Sequence, residues 1–256
     1  MTLIIGIKCK DGIAMGSDGA ATLGTMGQNT IIQPTKKLEI VSDSIILGVS
    51  GPIGIGQIFK GVIKKLWDDN TFSGKEPYEA MEILSISLWK HVEFEIQKAS
   101  IAKNILGNIA LNSALCSALI VLPISKKLCL FQFNQQCSPE EATDNLPFVS
   151  IGSGQNIADP FLAFQRWIFW IDKLPSLEEG IFTVFWTLEH AIRTHPGGVS
   201  EPKQIVTIKK ENNKYEIHDF QPNELKEHIG FINDIEKYLS QYPSYDKKET
   251  IPNTLI

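Results

Sequence analysis

The stretch MTLIIGIKCKDGIAMGSDGAAT, residues 1–22, decides the fold. Within it, LIIGIKC (3–9) and GIAMGSD (12–18) are short apolar runs on either side of Asp11-Gly12, a pairing of residues that favours a tight hairpin. The first run starts directly after Thr2. Chain termini fray unless something ties them down, so a buried-looking strand that begins at once predicts that residue 2 is held by its surroundings.

The same pattern continues outward. KLEIVSDSIILGVSG (37–51) places two apolar runs around Ser42-Asp43-Ser44, and the first fifty residues therefore read as sheet. From Gly54 the period changes: Ile58, Val62, Ile63 and Leu66 recur at helical spacing, and a second helix is predicted from about Tyr78 to Lys103. Three further strands are expected in NSALCSALIVL (112–122), KKLCLFQFN (126–134) and LPFVSIGSG (146–154). Helices follow at about 158–172 and 176–194, the latter opened by Ser176 and Glu179 at capping-box spacing. QIVTIKK (204–210) and KYEIHDF (214–220) flank a turn at Asn212-Asn213, and a polar helix from about Asn223 to Tyr242 leads into a charged tail. Blocks of strands alternating with pairs of helices do not make a doubly wound parallel sheet; two sheets packed face to face with helix pairs outside would fit. With no linker or fixed-period repeat, one domain over 1–256 is expected, ending in a helix and polar tail at about 223–256.

Composition narrows the function classes. A net charge of −5 leaves no basic face with which to displace counterions from phosphates, so no nucleic-acid partner is expected. The apolar runs SALCSALIVLPI and AFQRWIFWI are too short or too interrupted to span a bilayer, and the first residues lack the three-part pattern of a secretory signal. Cys9, Cys116, Cys129 and Cys137 show no CxxC spacing and read as small core residues, which suits a reducing cytoplasm. His190 and His195 do not share a helix face as paired ligands would, so neither a metal nor another cofactor is expected. Trp167, Trp170 and Trp186 fall at apolar helix positions and read as core or subunit interface.

The chemistry-bearing residues cluster near the start. Removal of Met1 ahead of a small residue would leave Thr2 with a free α-amine beside its own hydroxyl. An α-amine has a reference pKa of about 8 and can act as general base for that hydroxyl without a histidine. Such a pair gains from a fixed cation that keeps the amine neutral, and the cation needs a carboxylate to hold it. Lys37 in PTKKLEI and Asp18 in GSDGAAT, at the ends of strands expected to be adjacent, fit these roles.

With these residues in place the chain resembles the β-type subunits of the proteasome, within the N-terminal-nucleophile hydrolases. TLIIGIKCKDG is similar to that family's opening strand and turn. MGSDGAAT is similar to its acidic segment with a threonine four residues on, KKLEI to its catalytic-lysine segment, and LGVSGPIGIGQ to its glycine turn before the first helix. Among family members it is most similar to bacterial homologues, the betaproteobacterial proteasome homologue or the Anbu type, with CKDGIAMGSDGAAT and QPTKKLEI nearer the first.

The resemblance implies an α+β fold, a four-layer αββα sandwich. It implies Thr2 as nucleophile and base, Asp18 as the group that orients Lys37, Gly51 as oxyanion donor through its N–H, and Ser153 of SIGSGQ as a hydroxyl beside the nucleophile. Thr22 would pair its backbone with an extended peptide, while Ala21 and Val49 would line a pocket for small or medium apolar side chains. The chain departs from the family in RTHPGGVSEP (193–202): Gly197-Gly198 fits, but no aspartate is present, leaving Thr194, Ser200 or Glu201 to substitute.

The activity implied is that of a threonine-type endopeptidase cutting unfolded polypeptide inside a cytoplasmic homo-oligomeric double ring, with room for an activator. An N-terminal-nucleophile amidase acting on a small substrate and a non-catalytic ring scaffold are the alternatives.

Overall fold

The computed structural model describes residues 2–25, 28–107, 110, 114–195, 197–212 and 214–241. Two compact units emerge, residues 1–219 and 220–256. In the first, β1 (Ile4–Lys8) and β2 (Gly12–Ser17) form the expected hairpin, closed by the Cys9 N–H donating to the Gly12 carbonyl at 2.8 Å. They sit inside a five-stranded antiparallel sheet ordered β10-β1-β2-β11-β12, where β10 is Phe148–Ile151, β11 Gln204–Glu211 and β12 Lys214–Asp219.

The second five-stranded sheet is β5-β6-β7-β8-β9: β5 (Leu38–Ser42), β6 (Ile45–Ser50), β7 (Ser117–Ile124), β8 (Lys127–Phe133) and the short β9 (Pro139–Glu141). Its middle strands are buried on both faces, which is why SALIVLPI reads as a continuous apolar run and not as an alternating one. One face meets the first sheet: Leu38, Ile46, Leu119, Val121 and Leu130 pack against Ile4, Ile13, Met15, Val206 and Ile208. The other face packs under α1 (Ile53–Asp68) and α2 (Pro77–Leu106), with Leu47, Ile120 and Phe131 against Phe59, Ile63, Leu84 and Leu88.

The outer face of the first sheet is covered by α4 (Leu177–Thr194), which packs beside α3 (Gln155–Phe169). Gly16 of β2 lies so close to Val184 and Leu188 of α4 that a Cβ there would stand 2.2 Å from the Val184 side chain. Helix α4 starts where the capping box predicts, with the Glu179 N–H donating to Ser176 Oγ at 3.2 Å and the Ser176 N–H to Glu179 Oε2 at 2.6 Å. Asp11 of the hairpin turn adds a second acceptor, taking the Leu177 N–H at 2.8 Å. The layer order is helix pair, sheet, sheet, helix pair, the four-layer αββα sandwich expected from the sequence.

Three local readings change. Residues between Asp18 and Lys37 carry a two-stranded ribbon of β3 (Ala20–Thr25) and β4 (Gln28–Pro34), which the sequence does not announce because these residues lack apolar alternation. That ribbon carries the chain from one sheet to the other, so Asp18 and Lys37 are not on adjacent strands of one sheet but face each other across two. Helix α3 begins at Gln155, directly from the SIGSGQ turn and earlier than expected, and ends before Trp170, which turns inward with 1% of its surface exposed.

Within residues 220–256 the described element is α5 (Lys226–Gln241), shorter than the expected helix; Tyr242 and the tail lie outside the described residues, as does Asn213 of the expected turn. No described helix is long and apolar enough to cross a membrane, and among the described residues no cluster of metal-ligating side chains occurs. All four cysteines are free and buried. Burial pushes the thiols of Cys9, Cys116 and Cys129 up to about 12, and that of Cys137 to about 11.

Candidate active site

Antiparallel pairing builds the site from strand ends. β1 runs antiparallel to both β2 and β10, with Ile4 opposite Ser17 and Ile151, so the start of β1 lies beside the ends of its two neighbours. Thr2 is therefore flanked by Asp18 on one side and the Gly152-Ser153-Gly154 turn on the other. The facing sheet repeats the arrangement: β5 is antiparallel to β6, with Leu38 opposite Gly48, which brings Lys37 near the Ser50-Gly51 end of β6.

Asp18 is fully buried. Its Oδ1 accepts from the Leu3 N–H at 2.8 Å and from Lys37 Nζ at 2.7 Å; its Oδ2 accepts from the N–H of Ala20 at 3.3 Å and of Ser200 at 3.5 Å. A carboxylate is tolerable in such a place only because each oxygen meets more than one donor. Lys37, its side chain 8% exposed, also donates to Thr2 Oγ1 at 3.2 Å. Burial lowers the proton affinity of this ammonium, against the opposing pull of the Asp18 carboxylate. Asp18 thus fixes both the backbone next to Thr2 and the cation on its hydroxyl.

On the other flank, the Thr2 backbone nitrogen donates to Ser153 Oγ at 3.2 Å, and the Gly154 N–H donates to the Thr2 carbonyl at 3.2 Å. Gly152 has φ 102°, and a Cβ on it would stand 2.1 Å from the Thr2 carbonyl oxygen, so the turn approaches Thr2 only as glycine. Gly51 is likewise required: at φ 144° its Cβ would lie 2.6 Å from Cys116 Cβ.

Thr2, Lys37 and Gly51 open onto one cavity of about 300 Å³, lined also by Ala21, Val49, Leu47, Glu39, Ile53 and Gln57. Ala21 and Val49 were singled out by the sequence; Glu39 and Gln57 were not. Glu39 of β5 stands two residues beyond Lys37, which directly precedes the strand, and both line the cavity. Its Oε2 is 2.5 Å from Lys60 Nζ on α1. The alternation of β5 could have revealed this carboxylate. The backbone of Thr22 pairs with Ile32 in the β3–β4 ribbon, and the other edge of β3 takes no strand among the described residues.

The residues offered as substitutes for the missing aspartate go elsewhere. Thr194 Oγ1 donates to the His190 carbonyl at 2.7 Å, the Glu201 carboxylate bonds to Lys203, and Ser200 reaches Asp18 through its backbone. His195 instead lies over the Ser153 turn, its Nε2 at 3.4 Å from the Ser153 carbonyl, while its Nδ1 accepts the Gly197 N–H at 3.1 Å. The other histidine, His190, stacks on Phe161 at 4.2 Å between ring centres.

The family model described as Proteasome subunit matches residues 2–165, a span that starts at Thr2 and contains Asp18, Lys37, Gly51 and Ser153. The chain belongs to the proteasome subunit family. Its fold is shared by solved structures of Anbu. A Gly-1 mutant from Hyphomicrobium sp. strain MC1 has a TM-score of 0.69 at 16% identity, covering 98% of this chain and 100% of that one. Anbu from Yersinia bercovieri, described as an ancestral β-subunit, has a TM-score of 0.66 at 13% identity, covering 97% and 100%. No curated protein matches the chain.

The ion pair makes a stability prediction. Asp18→Ala leaves the buried Lys37 without its carboxylate and should cost about 3–5 kcal/mol in urea unfolding. Pairing it with Lys37→Met, which removes the stranded charge, should recover a large part of that loss; equal stabilities for the single and double variants would contradict the coupling.

Proposed function

We propose that the chain is a threonine-type endopeptidase whose nucleophile is Thr2, exposed at the N-terminus by removal of Met1. The observation that carries this reading is the position of Lys37, at 3.2 Å from Thr2 Oγ1 and 2.7 Å from Asp18. An ammonium held there favours a developing alkoxide and keeps a neighbouring α-amine neutral.

The reaction is acyl transfer. The α-amine of Thr2 takes the proton from Oγ1, which attacks the substrate carbonyl carbon. The resulting oxyanion is stabilised by the Gly51 N–H, and the amine passes its proton to the departing peptide nitrogen as the C–N bond breaks. Water, deprotonated by the same amine, then releases the acyl group and restores the hydroxyl. Ser153 holds the amine through its hydroxyl. The open edge of β3 at Thr22 favours an extended peptide over a small amide, because a strand edge recognises backbone.

The pocket supports a particular substrate class. Ala21, Val49 and Leu47 supply apolar walls, while Glu39 of β5, paired with Lys60, and Gln57 of α1 add polar groups. A long side chain with an apolar stem and a basic or amide tip satisfies both, whereas the small or medium apolar side chain expected from Ala21 and Val49 would leave the Glu39 end unused.

Assembly into a ring of identical subunits is part of the proposal. Phe164, Trp167 and Ile168 on α3 are 48, 74 and 56% exposed and fall at the spacing of one helix face, and Ile171, just past the helix end, is 53% exposed. A contiguous apolar face of this kind marks an interaction surface. The double ring would work in a reducing cytoplasm, which the four free cysteines suit.

Intact mass before and after treatment with a peptide vinyl sulfone tests the nucleophile. Loss of Met1 and one adduct mapped to Thr2 are expected, with both adduct and peptide cleavage lost in Thr2→Ala; cleavage surviving in purified Thr2→Ala would sink the mechanism. On a panel of fluorogenic peptides differing only in the residue before the cut, Glu39→Leu should shift preference from lysine, arginine or glutamine toward leucine by about tenfold or more. An unchanged ranking would remove Glu39 from the pocket's role. Trp167→Glu should lower the assembled mass in native mass spectrometry while leaving the far-ultraviolet circular dichroism intact; full assembly in this variant would show that the α3 face is not the contact.

A further inference from the structure

Gln204 opens β11 and is 7% exposed, a long polar side chain inside the sandwich. It lies on the first sheet opposite Ser17, the residue before Asp18. Its amide crosses to the other sheet and closes on the backbone of one residue there. The Leu38 N–H donates to Gln204 Oε1 at 3.0 Å, and Gln204 Nε2 donates to the Leu38 carbonyl at 3.0 Å. Leu38 is the residue after Lys37. The side chain therefore acts as a one-residue strand added to β5, tied at its other end to the strand that carries Asp18.

The segment leading into Gln204 is also tied to the turn that carries Asp18, within the first sheet. The Ser200 N–H reaches Asp18 Oδ2 and the Ser200 carbonyl accepts the Gly19 N–H at 2.9 Å. The segment is itself moored to α4 by Lys203, whose Nζ is 2.7 Å from Glu189 and 5.1 Å from the centre of the Phe185 ring.

We propose that Gln204 is a positioning residue: by clamping Leu38 across the two sheets it sets the distance between Lys37, Asp18 and Thr2. Asp18 and Lys37 come from different sheets, and sheets packed through apolar side chains slide more readily than hydrogen-bonded strands do. A bidentate amide fixes both height and register at the point where the ion pair must close. A glutamine fits where a charged residue does not, because Leu38 offers one donor and one acceptor and the amide offers the complementary pair.

This inference rests on the peptidase reading for its catalytic consequence, so two readouts are needed. The first is the rate of Thr2 labelling by a peptide vinyl sulfone. Gln204→Leu should slow it by about 10–100-fold, the penalty expected when reacting groups are misplaced by about an ångström. Gln204→Glu supplies a reversible version. Protonated, its carboxyl can accept from the Leu38 N–H and donate to the Leu38 carbonyl as the amide does; ionised, it opposes that carbonyl. Burial raises a glutamate from its reference value of about 4.3, so the variant-to-wild-type rate ratio should rise by about tenfold between pH 8 and pH 5.5. Protonation of the Thr2 amine is common to both proteins, and Gln204→Leu, which places no titrating group at this position, should show a flat ratio over the same pH range.

The second readout does not need the peptidase. Acetylation of Lys37 by acetic anhydride, resolved by mass spectrometry and normalised to exposed Lys64, should become about fivefold or more faster in Gln204→Leu as the ammonium is released from Asp18 and exposed to solvent. If the wild-type chain takes no vinyl sulfone but Lys37 acetylation rises in the variant, the clamp stands and the peptidase reading falls. If wild type reacts normally, a flat pH ratio in Gln204→Glu together with unchanged Lys37 acetylation in Gln204→Leu overturns the clamp. Should wild type fail to react and Lys37 acetylation also stay unchanged, both readings fall.

Discussion

A carboxylate with no exposed surface is the constraint around which this molecule is arranged. Asp18 is stable there because two backbone N–H groups and the Lys37 ammonium lie within 3.3 Å of its oxygens, with the Ser200 N–H slightly further away. Each donor comes from a different part of the chain: the start of β1, the start of β3, the approach to β5 and the segment before β11. Stripping any one away would leave a buried charge underpaired, a penalty of several kcal/mol. The four segments are therefore held to a common point, and Thr2 is adjacent to it.

Antiparallel topology does the rest. In such sheets the start of a strand is always beside the ends of its neighbours, so a residue just ahead of an interior strand, as Thr2 is ahead of β1, is surrounded by turns and not by strand interiors. Turns can present N–H groups, hydroxyls and cations in directions that regular strands cannot. Glycine at positions 51 and 152 lets two of those turns approach more closely than any other residue would allow. The sandwich supplies rigidity from behind: the Ile4, Met15 and Leu38 side chains are packed between sheets within a few residues of Thr2, Asp18 and Lys37.

Much of this was legible in the sequence, for reasons that differ by element. The hairpin around Asp11-Gly12 and the capped start of α4 are encoded locally, by turn chemistry and a capping pair, and both lie where expected. Thr2, Asp18 and Lys37 were found through their chemistry, Gly51 and Ser153 through the family resemblance, and the structure brings the five residues together. The β3–β4 ribbon was invisible because its strands lack the alternation that a half-buried sheet imposes. For the same reason Asp18 and Lys37 looked like neighbours in one sheet when they are partners across two. Glu39 could have been found from the alternation that places it two residues beyond Lys37, whereas Gln204 escaped notice because its significance is tertiary: a glutamine at a strand start carries no local signal, and only the facing sheet reveals what it touches.

The four buried thiols acquire a practical meaning against this background. Each is buried and held in its protonated, unreactive form near neutral pH. Soft electrophiles that ordinarily report on cysteine therefore meet almost no competing nucleophile in the native chain. A single cysteine introduced on the surface would therefore give an attachment point for a fluorophore or spin label without first removing the natural ones.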